Sequence, residues 1–435
     1  SMMQPSMLLI YTQKITPRTT YIFKHICMRI LGLEVGFTSV IEELIAHSGP
    51  KISYGKQQMG NELFIQSQGL LTEQGVESID ITVKPWEETV CFFPVSEKSA
   101  LPFDIFSAGF YLLSRYEEYL PHVKDERGRY PVSESLGYKE KFLQQPVVDV
   151  WAYKFKKVLE EHFPSIEFSS KKMNIHTVIK AVEPYAYEQK GIFRSFIGYL
   201  SDLLRFKILQ VTRRTQVILG VRRDPHNTFK WIINRAKRSK NPLSVFFLLG
   251  EAATFKESIN THRQKFKMLI KYVNDYKEVG LLFSMGALDE HQMLKKEKEQ
   301  LEEITNRNLL STMGSHYLVN LPDFYRDLVE LEVKRDFTMV YKNTVGFRAG
   351  TCTPFLFYDL DYEIKTPLII HPLAMTTLAL TGKSDIEINK TIDAVMNSVK
   401  KVNGTFSMIF SNTDFSSERD KTWRKIFSEK MFQHD

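Results

Sequence analysis

Cysteine is scarce in this chain, and its few cysteines lie far apart. Cys27, Cys91 and Cys352 are the only three among 435 residues. Three widely spaced thiols fit neither a disulfide framework nor a zinc site built from cysteine. We therefore expect a reducing compartment and predict a cytoplasmic location. The first residues lack the basic segment and apolar core of a secretion signal, so a periplasmic location would require a leader that has been removed.

Long hydrophobic runs and low-complexity tracts are absent as well. No apolar run approaches the roughly 20 residues that a membrane-spanning helix needs. Hydrophobic residues make up 43% of the chain and charged residues 25%, which is typical of a soluble globular protein. The composition argues against membrane and disordered classes, and the length predicts about two or three domains.

The excess of positive charge is small. The chain has 58 basic and 51 acidic residues, a formal net charge of +7, and many of the basic residues lie between positions 205 and 240. No helix-turn-helix, zinc-finger or RNA-recognition motif accompanies this basic region. We interpret it as solvated surface and predict no nucleic-acid partner, with an anionic partner as the alternative.

A change of pattern near residue 170 divides the chain. Residues 1–170 mix short apolar strands with helical patterns at 37–46 and 149–162, which predicts a smaller amino-terminal α/β domain of unknown role. Over residues 171–435 strand and helix patterns alternate, with a strand expected at 338–341. This alternation predicts parallel strands in a barrel or a doubly wound sheet. In a barrel, Arg348 and His371 would lie at the carboxyl ends of strands, where sites are usually found.

Two stretches stand out within this pattern. Residues 103–119 place aromatic and aliphatic side chains at helical spacing, which predicts a buried helix. Residues 346–350 read Gly-Phe-Arg-Ala-Gly, with Pro354 and Phe355 following. An arginine between two glycines predicts a tight turn that aims the guanidinium of Arg348 into a cleft.

These stretches, together with residues 128–131, 224–229 and 246–250, resemble a group of Bacteroidetes-type polysaccharide deacetylase proteins over almost the whole chain. That group belongs to the NodB-homology carbohydrate esterases of family four. The resemblance implies a distorted (β/α) barrel preceded by a smaller α/β domain. It also implies a carbohydrate or glycan as the partner.

The resemblance implies metal-assisted removal of an acetyl group from a sugar. In the family one Asp and two His hold a divalent metal, usually zinc, while a second Asp is the base, an Arg orients that base, and a later His protonates the leaving group. Arg348 matches the orienting arginine, His371 the acid histidine, and Asp336 joins them in the predicted catalytic remnant. The predicted substrate-binding residues are His316, Phe347, Phe355, Tyr358 and Asp224.

The metal-binding motifs of the family are degenerate in this chain. The alignment puts Lys180 and Val182 where the two Asp residues belong, and Leu282 where a histidine ligand belongs. A lysine ammonium disfavours capture of a cation, and one remaining histidine cannot form a zinc site. We therefore expect no bound metal and no other cofactor.

Two functional hypotheses remain open. In the first, which we favour, the protein has lost its metal and its hydrolytic activity and now binds a glycan or a protein partner. In the second, it is an active deacetylase with a rearranged site, built from some of His176, Glu183, Asp224, His226, His316, Asp336, Arg348 and His371. Cys352 is expected to be a small buried residue and not a nucleophile.

Overall fold

The computed structural model describes residues 6–181, 225–249, 260–416 and 421–432. The strands in these ranges are β1 (Leu8–Tyr11), β2 (Val35–Thr38), β3 (Lys51–Gly55), β4 (Leu63–Gln66), β5 (Lys84–Trp86), β6 (Thr89–Cys91), β7 (Asn174–Ala181), β8 (Leu243–Leu248), β9 (Glu278–Phe283), β10 (Ser311–Gly314), β11 (Arg335–Asp336), β12 (Phe355–Asp359), β13 (Ile364–Ile370), β14 (Met375–Thr376) and β15 (Thr405–Ser411). The α-helices are α1 (Pro17–Lys24), α2 (Ile41–Ala46), α3 (Ile105–Leu113), α4 (Tyr116–Tyr119), α5 (Leu136–Lys139), α6 (Val147–His162), α7 (Pro225–Ala236), α8 (Asn260–Asn274), α9 (His291–Thr305), α10 (Asp323–Glu330), α11 (Asp385–Lys401) and α12 (Thr422–Ile426). A π-helical segment, His25–Ile30, continues α1.

The chain forms two compact units that are not continuous in sequence. The first unit contains Ser1–Asn174, His316–Leu380 and Lys390–Phe406, and the second contains Ile175–Ser315, Thr381–Asn389 and Ser407–Asp435. The first change of unit lies close to the boundary expected near residue 170, but the chain returns to the first unit at His316. The segment that carries Arg348 therefore belongs to the same unit as the amino-terminal residues.

A four-stranded parallel sheet lies in the amino-terminal part of the first unit. Its strand order is β2-β1-β3-β4, and every residue of the central strand β1 is buried. Such full burial is typical of parallel strands covered on both faces. The helix predicted at 37–46 is shorter in the structure, because residues 35–38 join this sheet and α2 begins at Ile41.

The aromatic stretch at 103–119 is helical and buried, as its spacing predicts. The Asp104 carboxylate caps α3 by accepting from the backbone N–H groups of Phe106 and Ser107, both at 3.0 Å. All nine residues of α3 are buried. Arg115 has a φ of 54° and separates α3 from the short helix α4, so the acidic residues of α4 follow directly after a sharp turn.

The later strands of the first unit flank the loop that contains Arg348. β11 pairs in parallel with β13, and β12 pairs antiparallel with β13. β11 contains only Arg335 and Asp336, and residues 337–354 form no strand or helix. The prediction of a strand at 338–341 is therefore wrong.

The second unit contains strands in the order β10-β9-β8-β7-β15. β7 to β10 pair in parallel, and α8 and α9 pack against β9. These pairings confirm the α/β class with parallel strands, while a closed barrel stays a proposal. None of the helices in the described ranges is long and apolar enough to cross a membrane.

Candidate functional site

Arg348 lies in a loop whose path depends on two glycines. Gly346 has a φ of 148° and Gly350 a φ of 70°, values that residues with a Cβ rarely adopt. A Cβ on Gly346 would come within 2.5 Å of the Leu143 side chain, and one on Gly350 within 2.7 Å of Leu112. The loop is therefore packed closely against the amino-terminal part of the same unit.

The guanidinium of Arg348 is buried and bound to the carboxylate of Glu118. Its Nε donates to Glu118 Oε2 at 3.0 Å and its Nη2 donates to Oε1 at 2.5 Å. Its Nη1 donates to the carbonyl oxygen of Val340 at 3.2 Å. Arg348 is only 5% exposed, so all three nitrogens are used by neighbouring protein groups.

Glu118 is ionised in this environment. It also accepts a hydrogen bond from Arg115 Nε at 2.5 Å. Burial alone would raise the pKa of a carboxyl group, but the guanidinium groups of Arg348 and Arg115 outweigh burial and lower the pKa of Glu118 to about 2. A general base needs access to its substrate and a pKa near the working pH, and Glu118 has neither.

A second carboxylate completes this cluster. Arg115 Nη1 lies 3.4 Å from Glu117 Oε2, and Glu117 Oε1 accepts from the Tyr130 hydroxyl at 3.0 Å and from the backbone N–H of Leu136 at 2.8 Å. Arg115 Nη2 also donates to the Tyr341 hydroxyl at 3.3 Å. We call this set the arginine–glutamate cluster; its members are Arg115, Glu117, Glu118, Tyr130, Tyr341 and Arg348. Its two arginines and two glutamates balance in charge.

Asp149 anchors the residues that follow Arg348. Its carboxylate accepts from the hydroxyls of Thr351 and Thr353, both at 2.6 Å, and from the backbone N–H of Cys352 at 3.1 Å. Burial raises the pKa of the Cys352 thiol well above its usual range, and the Asp149 carboxylate raises it further. A protonated, buried thiol is a poor nucleophile, which fits the expectation that Cys352 is a small buried residue.

Asp336 is the last residue of β11, and His371 follows directly after the neighbouring strand β13. The Asp336 carboxylate accepts from the backbone N–H and the hydroxyl of Thr338, both at 3.0 Å. His371 donates its backbone N–H to the carbonyl oxygen of Asp336 at 2.9 Å. The His371 ring stacks on Phe337, with 4.4 Å between ring centroids. Both residues are buried.

The three aromatic residues predicted to bind substrate are buried in the first unit. Phe347, Phe355 and Tyr358 are all at most 3% exposed. The Tyr358 ring packs edge-on against Phe110, with centroids 5.0 Å apart, and its hydroxyl donates to Glu363 at 3.1 Å. In this structure these rings form packing beneath the surface.

His316 is half-buried and lies beside a turn that contains two arginines. Its Nε2 is 3.3 Å from Arg127 Nη1, and its carbonyl oxygen accepts from Arg129 Nη1 at 3.1 Å. The backbone of His316 has a φ of 55°. Arg129 and His316 are 187 residues apart in the sequence, and nothing in the sequence pairs them.

The described strand ends of the second unit do not fit a zinc ion. Lys180 lies on β7 in register with Phe246, and Leu282, on β9, is 1% exposed. Leu282 offers no donor atom, and a lysine ammonium repels a cation. Val182, Glu183, Asp224 and the side chain of His226 lie outside the described residues.

His176 belongs to a polar network at the amino ends of the strands. Its Nε2 is 2.8 Å from the Ser244 hydroxyl, which donates to Glu278 at 2.6 Å. The Ser311 hydroxyl donates to the other oxygen of Glu278 at 3.1 Å. Because the Ser244 proton is directed to Glu278 and Ser244 is buried, this arrangement links strands and does not present a nucleophile.

Part of the basic region also lies outside the described residues. Residues 205–224 are in that part. The described basic residues of this region are all exposed; they are Lys230, Arg235, Lys237, Arg238 and Lys240. Their exposure is what the solvated-surface interpretation expects.

Comparisons with known proteins give partial matches. A family model described as a family of unknown function (DUF7033) matches residues 8–164. No curated protein sequence matches the chain. Residues 8–164 are the part of the chain that supplies Glu118 and Arg115.

Among solved structures, a protein provisionally named a polysaccharide deacetylase from Mycobacterium smegmatis is 12% identical, with a TM-score of 0.38, over 60% of this chain and 84% of that one. A pseudoenzyme of carbohydrate esterase family four from Bacillus anthracis is 11% identical, with a TM-score of 0.26, over 57% of this chain and 66% of that one. A mutant of that pseudoenzyme with restored enzymatic activity is also 11% identical, with a TM-score of 0.26, over 57% and 69%. The similarity covers only part of the chain, and the TM-scores are low.

Proposed function

We propose that this chain is a polysaccharide deacetylase-like protein that has lost metal-assisted hydrolysis and binds a glycan. The observation that carries the proposal is the buried pair of Arg348 and Glu118. In the family that the motifs resemble, the matching arginine orients a catalytic base. Here all three guanidinium nitrogens of Arg348 donate to Glu118 and Val340, and Glu118 is held ionised and buried.

The strand ends support the same proposal. Metal-assisted hydrolysis needs an electrophilic metal and a base that activates water. Leu282 cannot ligate a metal, and Lys180 carries a charge of the wrong sign for a cation site. No metal or other cofactor is therefore part of the proposed function.

The proposal includes the finer assignments made from the motifs. They are the Bacteroidetes group, a (β/α) barrel over residues 171–435, a cytoplasmic location, and remnant roles for Asp336 and His371. His316 is retained as a glycan-contacting residue, whereas Phe347, Phe355 and Tyr358, predicted to bind substrate, are buried. A protein partner is the alternative to a glycan.

Acetate release and glycan binding, measured on the same preparation, test this proposal. The full chain is incubated with acetylated chitin oligosaccharides and acetylated xylan, with and without added Zn²⁺ or Co²⁺, and is also applied to a glycan array. We expect no acetate above the blank and binding to at least one class of glycan. Metal-dependent acetate release would favour the active hydrolase instead, and binding to no glycan would contradict the proposed role.

A further inference from the structure

A hydrogen-bonded turn presents two arginines at the surface of the first unit. Asp125 Oδ1 accepts from the backbone N–H groups of Arg127 and Arg129, both at 2.9 Å. The backbone N–H of Asp125 donates to the carbonyl oxygen of Arg129 at 2.9 Å, and Gly128 has a φ of 82°. We call residues 125–129 the arginine turn. These hydrogen bonds hold its backbone in one conformation in this structure.

The side chains of the turn are directed toward His316. Arg129 Nε donates to Asp125 Oδ2 at 2.8 Å, and its Nη1 donates to the His316 carbonyl at 3.1 Å. Arg127 Nη1 is 3.3 Å from His316 Nε2. A guanidinium can only donate, so His316 Nε2 is the acceptor in this contact. A histidine ring carries no negative charge, so His316 does not neutralise these arginines.

Lys342 adds a third cation to this place. It is half-buried, and burial lowers its pKa, as do the guanidinium groups of Arg129 and Arg127, while Asp125 acts against them. Asp125, which faces these cations, is already bonded to Arg129 and to two backbone N–H groups. The other acid of the turn, Glu126, is exposed.

Such a concentration of positive charge is costly without an anion, because like charges held together reduce the stability of the folded chain. The arginine–glutamate cluster of the same unit balances its charges, whereas the arginine turn together with Lys342 has three cations and two carboxylates, an excess of one positive charge. Arg127 is exposed and Arg129 and Lys342 are half-buried, so a ligand can reach them from solvent. Arginine suits oxyanions, since its planar fork matches the two oxygens of a carboxylate or phosphate.

We propose that Arg127, Arg129 and Lys342, with His316 beside them, bind the oxyanion of an acidic sugar, carried as a carboxylate or a phosphate on a glycan. The assignment of a sugar rests on the proposed function, and the assignment of a negative charge on that sugar rests on the arginine turn. It names a substrate class: acidic glycans over neutral ones.

Calorimetric titration of the full chain tests the inference with three probes: an oligosaccharide of uronic acids, a neutral oligosaccharide of equal length, and inorganic phosphate. We expect the acidic oligosaccharide to bind more tightly than the neutral one, and more weakly as salt is raised. Arg127→Gln and Lys342→Gln should each weaken its binding about tenfold or more. Lys98→Gln removes one exposed positive charge elsewhere in the same unit and should leave binding unchanged.

The outcomes separate this inference from the proposed function. Phosphate binding that Arg127→Gln weakens, with no oligosaccharide bound, would keep the anion site and overturn the glycan as its ligand. Equal binding of acidic and neutral oligosaccharides, or acidic binding that Arg127→Gln leaves unchanged, would overturn the anion site while glycan binding stands. Thermal unfolding of each variant shows whether the fold is retained.

Discussion

Glu118 and Arg348 form a buried bidentate ion pair although 230 residues separate them in the sequence. Glu118 comes from the segment that the family model matches, and Arg348 from the glycine-flanked loop in the later part of the chain. Their pairing makes these two segments parts of one compact unit. Arg348, which in the sequence looks most like a residue of a functional site, therefore helps to hold that unit together.

Removing the carboxylate of Glu118 should destabilise the protein strongly. Glu118→Ala leaves the guanidinium groups of Arg348 and Arg115 buried without their shared counter-ion, a loss of about 3–5 kcal/mol in the free energy of unfolding. Urea denaturation measures it. The exposed neighbour Glu126 gives the matched control, since Glu126→Ala should change stability by less than about 0.5 kcal/mol. Equal effects of the two variants would contradict a buried pair.

The same pair should make the protein sensitive to acid. The pKa of Glu118 is lowered from 4.5 to about 2 in the folded state, so its contribution to stability is complete above the pKa of the unfolded chain. That contribution is lost as the pH falls from about 5 toward about 2. Unfolding midpoints measured over this range should drop more steeply in the wild type than in Glu118→Gln. Parallel pH profiles would show that Glu118 does not titrate differently in the two states.

His25 should add acid sensitivity at higher pH. It is buried, and neither ring nitrogen has a hydrogen-bond partner among the described residues. Burial, together with the charges of Arg29 and Lys171, lowers its pKa from 6.5 to about 3. Between about pH 6.5 and about pH 3 the unfolded chain binds a proton on His25, whereas the folded chain does not. The free energy of unfolding therefore falls as the pH drops through this range. His25→Phe, which keeps the ring packed near Phe355, should flatten this part of the profile; an unchanged slope from about pH 6.5 to about pH 5 would contradict it.

Residues 1–170 should not fold as an independent domain. Besides Glu118, Arg18 makes a bidentate pair with Glu363, with contacts of 2.8 and 2.7 Å, and Asp149 binds Thr351 and Thr353. A fragment that ends at residue 170 would leave the buried side chains of Arg18, Glu118 and Asp149 without these partners. We expect its circular dichroism to show no cooperative thermal transition, whereas the full chain shows one. A cooperative transition at a similar temperature would establish an autonomous domain.

Local features of the fold could be predicted from sequence, and distant pairings could not. The helix predicted at 149–162 is observed as Val147–His162, because its apolar spacing and the following Pro164 act locally. The strand predicted at 338–341 is absent, since Asp336 binds Thr338 and Arg348 binds Val340, and these contacts turn the backbone away from a regular strand. Tertiary contacts therefore determine the conformation of this segment and override its β-branched and aromatic composition, which favours a strand.

The sequence hints at the arginine–glutamate cluster without specifying its pairing. Arg115, Glu117 and Glu118 are charged residues at the end of an otherwise apolar helical stretch, and consecutive charges at such a position indicate either a surface turn or a buried ion pair. The left-handed turn at Arg115 directs them inward, and no periodicity reveals that. Their partner Arg348 stands out in the sequence only as an arginine between glycines, with no indication of which carboxylate it meets.

The stoichiometry of bound metal tests the central claim most directly. The purified chain is saturated with Zn²⁺, Co²⁺ or Ni²⁺, freed of unbound ions by gel filtration, and analysed for metal by elemental analysis. Because Lys180 and Leu282 offer no suitable ligands, we expect far less than one ion per chain. Near-unit occupancy that survives gel filtration would contradict the loss of the metal site.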